Sequence, residues 1–267
     1  MDIIQALVLG VVQGATEFIP ISSSAHLVLV PWMLGWQNPG LAFDAVLHLG
    51  TLLAVLAVFW RDLVSLAAVW LQSMATREVN GPQARLAWWI VLGTIPAALM
   101  GLLWEEQFEA LFHGPLQVSV LLLLTGSWLA CTDHFGRGHR RAHEMHWWQS
   151  LLIGLAQGCA IAPGISRSGV TIGSGLLLGL GRDEAARFSF MLSTPIIAGA
   201  GLLQVRKLLG MPGLDASLLP LLLGFVSASV SGYVCIRFLL AYLKQRSLTV
   251  FALYCWVVGL GWIAVTL

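Results

Sequence analysis

The sequence predicts an all-α polytopic membrane protein. Six transmembrane helices are joined by two re-entrant helix-loop-helix hairpins, and the halves form an inverted repeat. Three observations carry this expectation: an extreme composition, six long apolar stretches, and two further apolar stretches broken midway by polar residues. Of the 267 residues, 58% are hydrophobic and 10% charged, with a mean hydropathy of +0.83. A soluble domain carries about 25% charged residues. The 28 glycines and 12 tryptophans suit close helix packing and anchoring at the membrane surface. No nucleic-acid partner is expected, and the net charge of +1 by itself says nothing about partners. What informs is where the charges fall.

Taken in order, the first stretch, 3–34, is interrupted by Pro20-Ile21-Ser22-Ser23-Ser24. It follows Met1-Asp2 without a basic leader or cleavage site, so it is expected to remain as structure. Stretches 42–60, 84–104 and 115–133 are each apolar over enough residues to span a bilayer. The stretch 147–180 is broken by Pro163-Gly164-Ile165-Ser166-Arg167-Ser168, and 186–205, 217–239 and 249–267 again read as spans. Non-helical backbone at membrane depth is tolerated only where protein or water covers it, so each broken stretch is expected to enter and leave on one face. Trp32, Trp36, Trp60, Trp88, Trp89, Trp104, Trp147 and Trp148 lie near span ends and read as an aromatic belt. Cys131, Cys159, Cys235 and Cys255 lack metal-ligand spacing and read as packing residues.

The charges test this layout. With both broken stretches re-entrant, one face receives Arg61, Arg77, Arg85, Arg137, Arg140, Arg141, Arg182, Arg187, Arg237, Lys244 and Arg246. The other receives Arg206 and Lys207 with the acidic residues Glu105, Glu106 and Glu109. The positive-inside rule makes the first face cytoplasmic and places both termini outside.

The broken stretches also match each other. A shift of 144 positions aligns Gln5 with Gln149, Gly10 with Gly154, Gln13-Gly14 with Gln157-Gly158, and Ile21-Ser22 with Ile165-Ser166. Leu92-Gly93 and Gly101 echo Leu223-Gly224 and Gly232. We therefore expect one integral membrane domain over 1–267, with a first repeat of about 1–133 and a second of about 147–267. Three crossings separate the hairpins, so the repeats run in opposite orientations. Inverted repeats with broken helices place their site near the midplane.

Arg167 is the most telling residue. A guanidinium at the centre of a membrane helix costs about 2.5–3.5 kcal/mol or more, so it must face an anion or water. Around it, Ser166, Ser168 and Thr171 offer hydroxyls both for capping the following half-helix and for phosphate contact. Ser23 or Ser24 is expected to cap the first half-helix, and Ser166 or Ser168 the second. Each inward-pointing helix N-terminus carries about half a positive charge and free N–H groups, a seat for an anion. Where the repeats diverge, Glu17 stands opposite Ile161, Ser23 opposite Arg167 and His26 opposite Val170. Glu17 beside a phosphate becomes useful if a divalent cation bridges them. The alternative is a neutral Glu17 hydrogen-bonded in the bundle. Gln13, four residues before Glu17, serves equally as helix-packing polar glue or as a substrate contact. His26 is either nucleophile or acid/base, with Ser23 as rival nucleophile and His26 as its base. Asp44 and His48, spaced i, i+4 near the external end of the second segment, read as an ordinary helix-start pair, with lining of the site mouth as the alternative. His113, His134, His139, His143 and His146 read as solvated loop residues.

Gln13-Gly-Ala-Thr-Glu17-Phe-Ile-Pro-Ile-Ser22-Ser23-Ser-Ala-His26 and Pro163-Gly-Ile-Ser166-Arg167-Ser168-Gly-Val-Thr171 resemble the two signature motifs of the undecaprenyl-diphosphatase family. The resemblance implies hydrolysis of undecaprenyl diphosphate to the monophosphate and inorganic phosphate, recycling the lipid carrier for peptidoglycan synthesis. It also implies a link to bacitracin resistance, a bacterial inner-membrane location and a site open to the periplasm. By motif, Glu17 takes the acidic metal or catalytic position and His26 that of the catalytic histidine. Ser23 is the motif serine, and Arg167 the phosphate-binding arginine, with Ser22 and Gln13 as further phosphate contacts. Gln13 stands where many members have a second glutamate, which weakens metal binding there. The implied cofactor is a divalent cation, Mg²⁺ or Ca²⁺, and the implied partner a polyprenyl diphosphate lipid; a homodimer is compatible with the sequence but not required by it. The rival reading is a transporter or flippase of a lipid phosphate or small anion, which shares inverted repeats and broken helices. Such transport does not require Glu17 with His26.

Overall fold

The computed structural model describes the chain except residues 1, 38, 105–113, 137, 210–217 and 267, and the side chains of residues 41 and 204–209. Glu105, Glu106, Glu109, His113, Arg137, Arg206 and Lys207 therefore lie outside the described residues or side chains. The described residues form ten α-helices: α1 (Ile3–Phe18), α2 (Ser23–Met33), α3 (Leu41–Thr76), α4 (Gly81–Leu103), α5 (Pro115–Phe135), α6 (Trp147–Cys159), α7 (Arg167–Leu177), α8 (Arg182–Leu209), α9 (Leu218–Leu243) and α10 (Thr249–Thr266). Six of them, α3, α4, α5, α8, α9 and α10, are long and apolar enough to cross a membrane. Their outer faces carry large apolar side chains, such as Val257 at 71% and Leu202 at 72% exposure. Such surface is tolerable only against lipid.

All six expected spans are present, and one is longer than expected. α3 does not stop near residue 60 but runs 36 residues to Thr76. At 1.5 Å per residue that is about 54 Å, well beyond the roughly 30 Å apolar thickness of a bilayer. Arg61-Asp62 is followed by Leu63-Val64-Ser65-Leu66 with no Gly or Pro, so nothing halts the helix when it leaves the membrane. All four cysteines are unpaired, and only Cys255 is buried; Cys131 and Cys159 lie on the outer surface rather than in the packing.

Both broken stretches are indeed two helices. The first break occupies residues 19–22 and the second 160–166. α1 packs against α2, and α6 against α7. The caps fall on matching serines: Ser22 Oγ accepts from the Ala25 N–H at 3.3 Å and Ser166 Oγ from the Gly169 N–H at 3.1 Å. Ser22, rather than Ser23 or Ser24, thus caps α2, and it does so with φ +69°, a left-handed conformation costly for a residue with a Cβ.

The helices pair crosswise. α1 packs chiefly on α9, and α6 chiefly on α4, so each hairpin leans on a span from the other half of the chain. Both crossings need glycine. A Cβ at Gly10 would strike the Gly224 carbonyl, and one at Gly154 would strike the Gly93 carbonyl. This backbone-to-backbone approach is how membrane helices gain dispersion contacts where lipid supplies no hydrophobic drive. It brings the two breaks together: Ser24 Oγ accepts from the Gly164 N–H at 3.2 Å, and Ser168 Oγ lies 3.5 Å from the Ile19 carbonyl oxygen to which it donates. Thr125 of α5 fastens the second break, donating to the Gly164 carbonyl at 3.0 Å and accepting from the Ser166 N–H at 3.1 Å.

Candidate active site

Glu17 is the penultimate residue of α1 and Arg167 the first of α7. Although 150 positions apart, Arg167 Nη2 and Glu17 Oε1 form an ion pair. Glu17 is buried and Arg167 partly buried, with side-chain exposures of 4% and 18%. The second carboxylate oxygen, Oε2, accepts from Ser23 Oγ at 2.5 Å and from Gln13 Nε2 at 3.0 Å. The Gln13 contact follows from helical geometry, since residues four apart share a face.

Two polar atoms at this centre have no hydrogen-bond partner among the described residues: Arg167 Nη1 and Gln13 Oε1. A buried donor and a buried acceptor left open beside an ion pair are costly unless a further group meets them. The other half of the guanidinium fork suits an anionic oxygen, and the Gln13 carbonyl suits a cation or a donor. Thr171 stands one turn along α7, bonded to Ser189 Oγ at 2.6 Å and to the Arg167 carbonyl at 2.8 Å. Ser166 and Ser168 bond each other at 3.2 Å.

His26 lies apart from the Ser23–Glu17 contact. Its Nδ1 is 2.7 Å from the Ser22 carbonyl oxygen and its Nε2 2.7 Å from Tyr254 Oη. Neither ring nitrogen meets Ser23, whose proton is directed at Glu17. The hydroxyl and imidazole expected to pair thus have other partners.

Two further neighbours join the site: His48, for which the site mouth was the second reading, and Tyr254, which was not expected. His48 Nε2 stands 3.7 Å from Glu17 Oε2, with His48 Nδ1 bonded to the Asp44 carbonyl at 2.7 Å. The Asp44–His48 spacing is therefore more than a helix-start pattern: the backbone carbonyl holds one nitrogen and turns the other to Glu17. The i, i+4 spacing was the available signal. Tyr254 gave none, being an isolated tyrosine in an apolar span, 228 positions from His26.

Among the described residues no group of three or more His, Cys, Asp or Glu side chains could hold a metal by itself. The donor set does fit a hard cation that keeps phosphate oxygens in its shell. Glu17 supplies one carboxylate and Gln13 an open amide oxygen, and Mg²⁺ commonly takes one or two carboxylates with the remainder from substrate.

A family model described as bacitracin resistance protein BacA matches residues 6–261. The chain belongs to the BacA family. The undecaprenyl-diphosphatase of Pelotomaculum thermopropionicum is 48% identical over 261 residues, covering 98% of this chain and 96% of that protein. Those of Methanosphaera stadtmanae, 44% identical over 97% of this chain and 96% of the relative, and Rubrobacter xylanophilus, 46% identical over 95% and 94%, are similarly close. BacA membership and the six apolar helices together identify a multi-pass membrane protein.

Proposed function

We propose that this chain hydrolyses undecaprenyl diphosphate, or a close polyprenyl diphosphate, to the monophosphate and inorganic phosphate. The observation that carries the reading is the meeting of Glu17, Ser23 and a half-open Arg167 at one buried point between two helix N-termini. The undecaprenyl-diphosphatase relatives support it, and they offer nothing to the rival reading of lipid or anion transport.

Phosphoryl transfer asks the protein mainly for position and charge neutralisation. Arg167 meets the diphosphate with Nη1, and the N-terminal N–H groups of α2 and α7 add partial positive charge beside it. Ser166, Ser168 and Thr171 keep α7 in place for that contact, as Ser22 does for α2. Two nucleophiles fit. Ser23 attacks the terminal phosphorus while Glu17 takes its proton, or His26 attacks through Nε2 once Tyr254 releases it; the bond from that phosphorus to the bridging oxygen breaks, polyprenyl monophosphate leaves, and water then cleaves the phosphoenzyme to inorganic phosphate. Glu17 and Gln13 would hold a Mg²⁺ or Ca²⁺ ion, which when bound neutralises charge on the phosphate oxygens.

The halves 1–133 and 147–267 we read as an inverted repeat. The crosswise packing of α1 on α9 and α6 on α4, and the paired caps Ser22 and Ser166, support this. Both breaks then belong to re-entrant hairpins. The basic residues at the opposite helix ends support a site with Glu17 and His26 opening outward from the cytoplasmic membrane, and both termini outside.

The test is phosphate release from a long-chain prenyl diphosphate by purified protein in detergent with Mg²⁺. Wild type releases phosphate, and Arg167→Ala and His26→Ala each lose at least about 100-fold. Release that survives both substitutions would overturn the site; absence of release by wild type would overturn the activity.

A further inference from the structure

The tautomer of His26 is set by its neighbours. Nδ1 lies 2.7 Å from the Ser22 carbonyl oxygen, which can only accept, so Nδ1 carries a proton. In the neutral ring the lone pair is then on Nε2, the nitrogen able to take a proton or bond to phosphorus. That nitrogen is 2.7 Å from the hydroxyl of Tyr254. The two rings stack at 5.7 Å with an interplanar angle of 14°, which fixes the approach of the hydroxyl as well as its distance.

Tyr254 comes from α10, which packs mainly on α5 and touches α2 through side chains. A second ring contact across the α2–α10 seam is Trp32 against Trp262, edge to face at 5.2 Å. The seam thus has ring contacts that do not involve the phenolic oxygen. His26 is buried at 7% exposure while Tyr254 is 39% exposed, so the tyrosine stands between the imidazole and the outside of the bundle.

We propose that Tyr254 is the positioning residue of His26. Its hydroxyl donates to Nε2 while the ring is neutral, holding the lone pair in one direction and shielding it. When Nε2 takes a proton, the same hydroxyl turns and accepts the new N–H. A hydroxyl serves both states because it is donor and acceptor together; a phenyl ring serves neither. The hydrogen bond stands on the geometry alone, and its effect on turnover rests on the diphosphatase reading above.

Tyr254→Phe keeps the ring stack and removes the oxygen. The expected result is a fall in kcat of roughly ten-fold with KM within about two-fold, the loss of one hydrogen bond felt in the reacting state. Val257→Ala, on the same helix at 71% exposure, should leave kcat unchanged. In a His26→Gln background with measurable residual turnover, adding Tyr254→Phe should cost less than about two-fold, because a residue acting only through His26 has nothing left to position. A packing role would lower both backgrounds equally. Independently of turnover, ¹⁵N NMR of histidine-labelled protein, with His26 assigned by His26→Gln, should show a protonated Nδ1 and a hydrogen-bonded Nε2. The Nε2 resonance should move to the free-acceptor position in Tyr254→Phe.

Wild-type kcat in Tyr254→Phe, or an Nε2 resonance identical in both proteins, overturns the proposal. So does a wild-type spectrum with the proton on Nε2 of neutral His26, a reading that survives any failure of the variant to fold. Wild-type protein that releases no phosphate but shows the expected resonances would sink the diphosphatase reading and retain the tyrosine–imidazole pairing.

Discussion

Replacing Glu17 with Gln should move substrate binding and turnover in opposite directions, and the direction for binding should depend on metal. In the resting site the carboxylate is itself the anion on Arg167, occupying Nη2 through an ion pair while Nη1 stays open. An incoming diphosphate competes with Glu17 for that guanidinium. A hydrogen bond to a charged group contributes about 1.5–3 kcal/mol, so removing the competitor should tighten binding of an anionic ligand by roughly 10- to 150-fold. Gln13 and Ser23 can still bond the new amide, which limits disturbance of the helices. The measurement is the Kd of a non-hydrolysable prenyl methylenediphosphonate in detergent, first with a chelator and then with Mg²⁺. With chelator, Glu17→Gln should bind more tightly than wild type. With Mg²⁺ that advantage should vanish, since wild type regains through the cation what its carboxylate took away, while kcat of the variant falls at least about 100-fold. Weaker binding by Glu17→Gln in the presence of chelator would refute the competition, and an equal advantage with and without Mg²⁺ would refute the metal role of Glu17.

Arg167→Lys keeps the charge but loses the planar fork that grips Glu17 with one nitrogen and leaves another for substrate. Its kcat/KM should fall at least about ten-fold, and full activity in steady-state assays would mean that charge alone suffices. Gly154→Leu should lower the thermal midpoint in detergent by an amount reflecting about 1–3 kcal/mol or more, because its Cβ meets the Gly93 carbonyl where α6 crosses α4. Gly261→Ala, with open space around its Cβ, should be neutral or stabilising by up to about 1 kcal/mol in the same melt.

Much of this was legible in the sequence, for definite reasons. Apolar length marked the six spans, and Pro, Gly and Ser clusters marked the breaks, because a bilayer leaves few other structures open to such segments. The polar residues at the breaks, Gln13, Glu17, Ser23 and Arg167, stood out against apolar surroundings and do converge. The apolar stretch 42–60 marked the membrane span but not the length of α3, which continues past Arg61-Asp62 because no Gly or Pro stops it there. His48 was discounted because spacing along a helix says which residues share a face, not what that face meets. Tyr254 reaches His26 only through the packing of the last span beside α2, a relation that no local pattern encodes.

The pairing of Glu17 with Arg167 also explains how such a centre is tolerated in a membrane. A lone guanidinium or carboxylate at this depth would be severely desolvated, and breaking a buried pair by removing one partner typically costs about 3–5 kcal/mol. Here each charge stabilises the other, and each retains an unfilled valence next to it: Nη1 on the cationic side, the Gln13 oxygen on the anionic side. A diphosphate with a divalent cation offers the complementary charges, an anion for Arg167 and a cation for Glu17. The substrate complex can therefore exchange one neutral buried arrangement for another without exposing a single charge on the way. A monoanion without metal could satisfy Arg167 only by stranding Glu17. On the proposed reading, the ion pair that stabilises the bundle thus also selects for a metal-bound diphosphate.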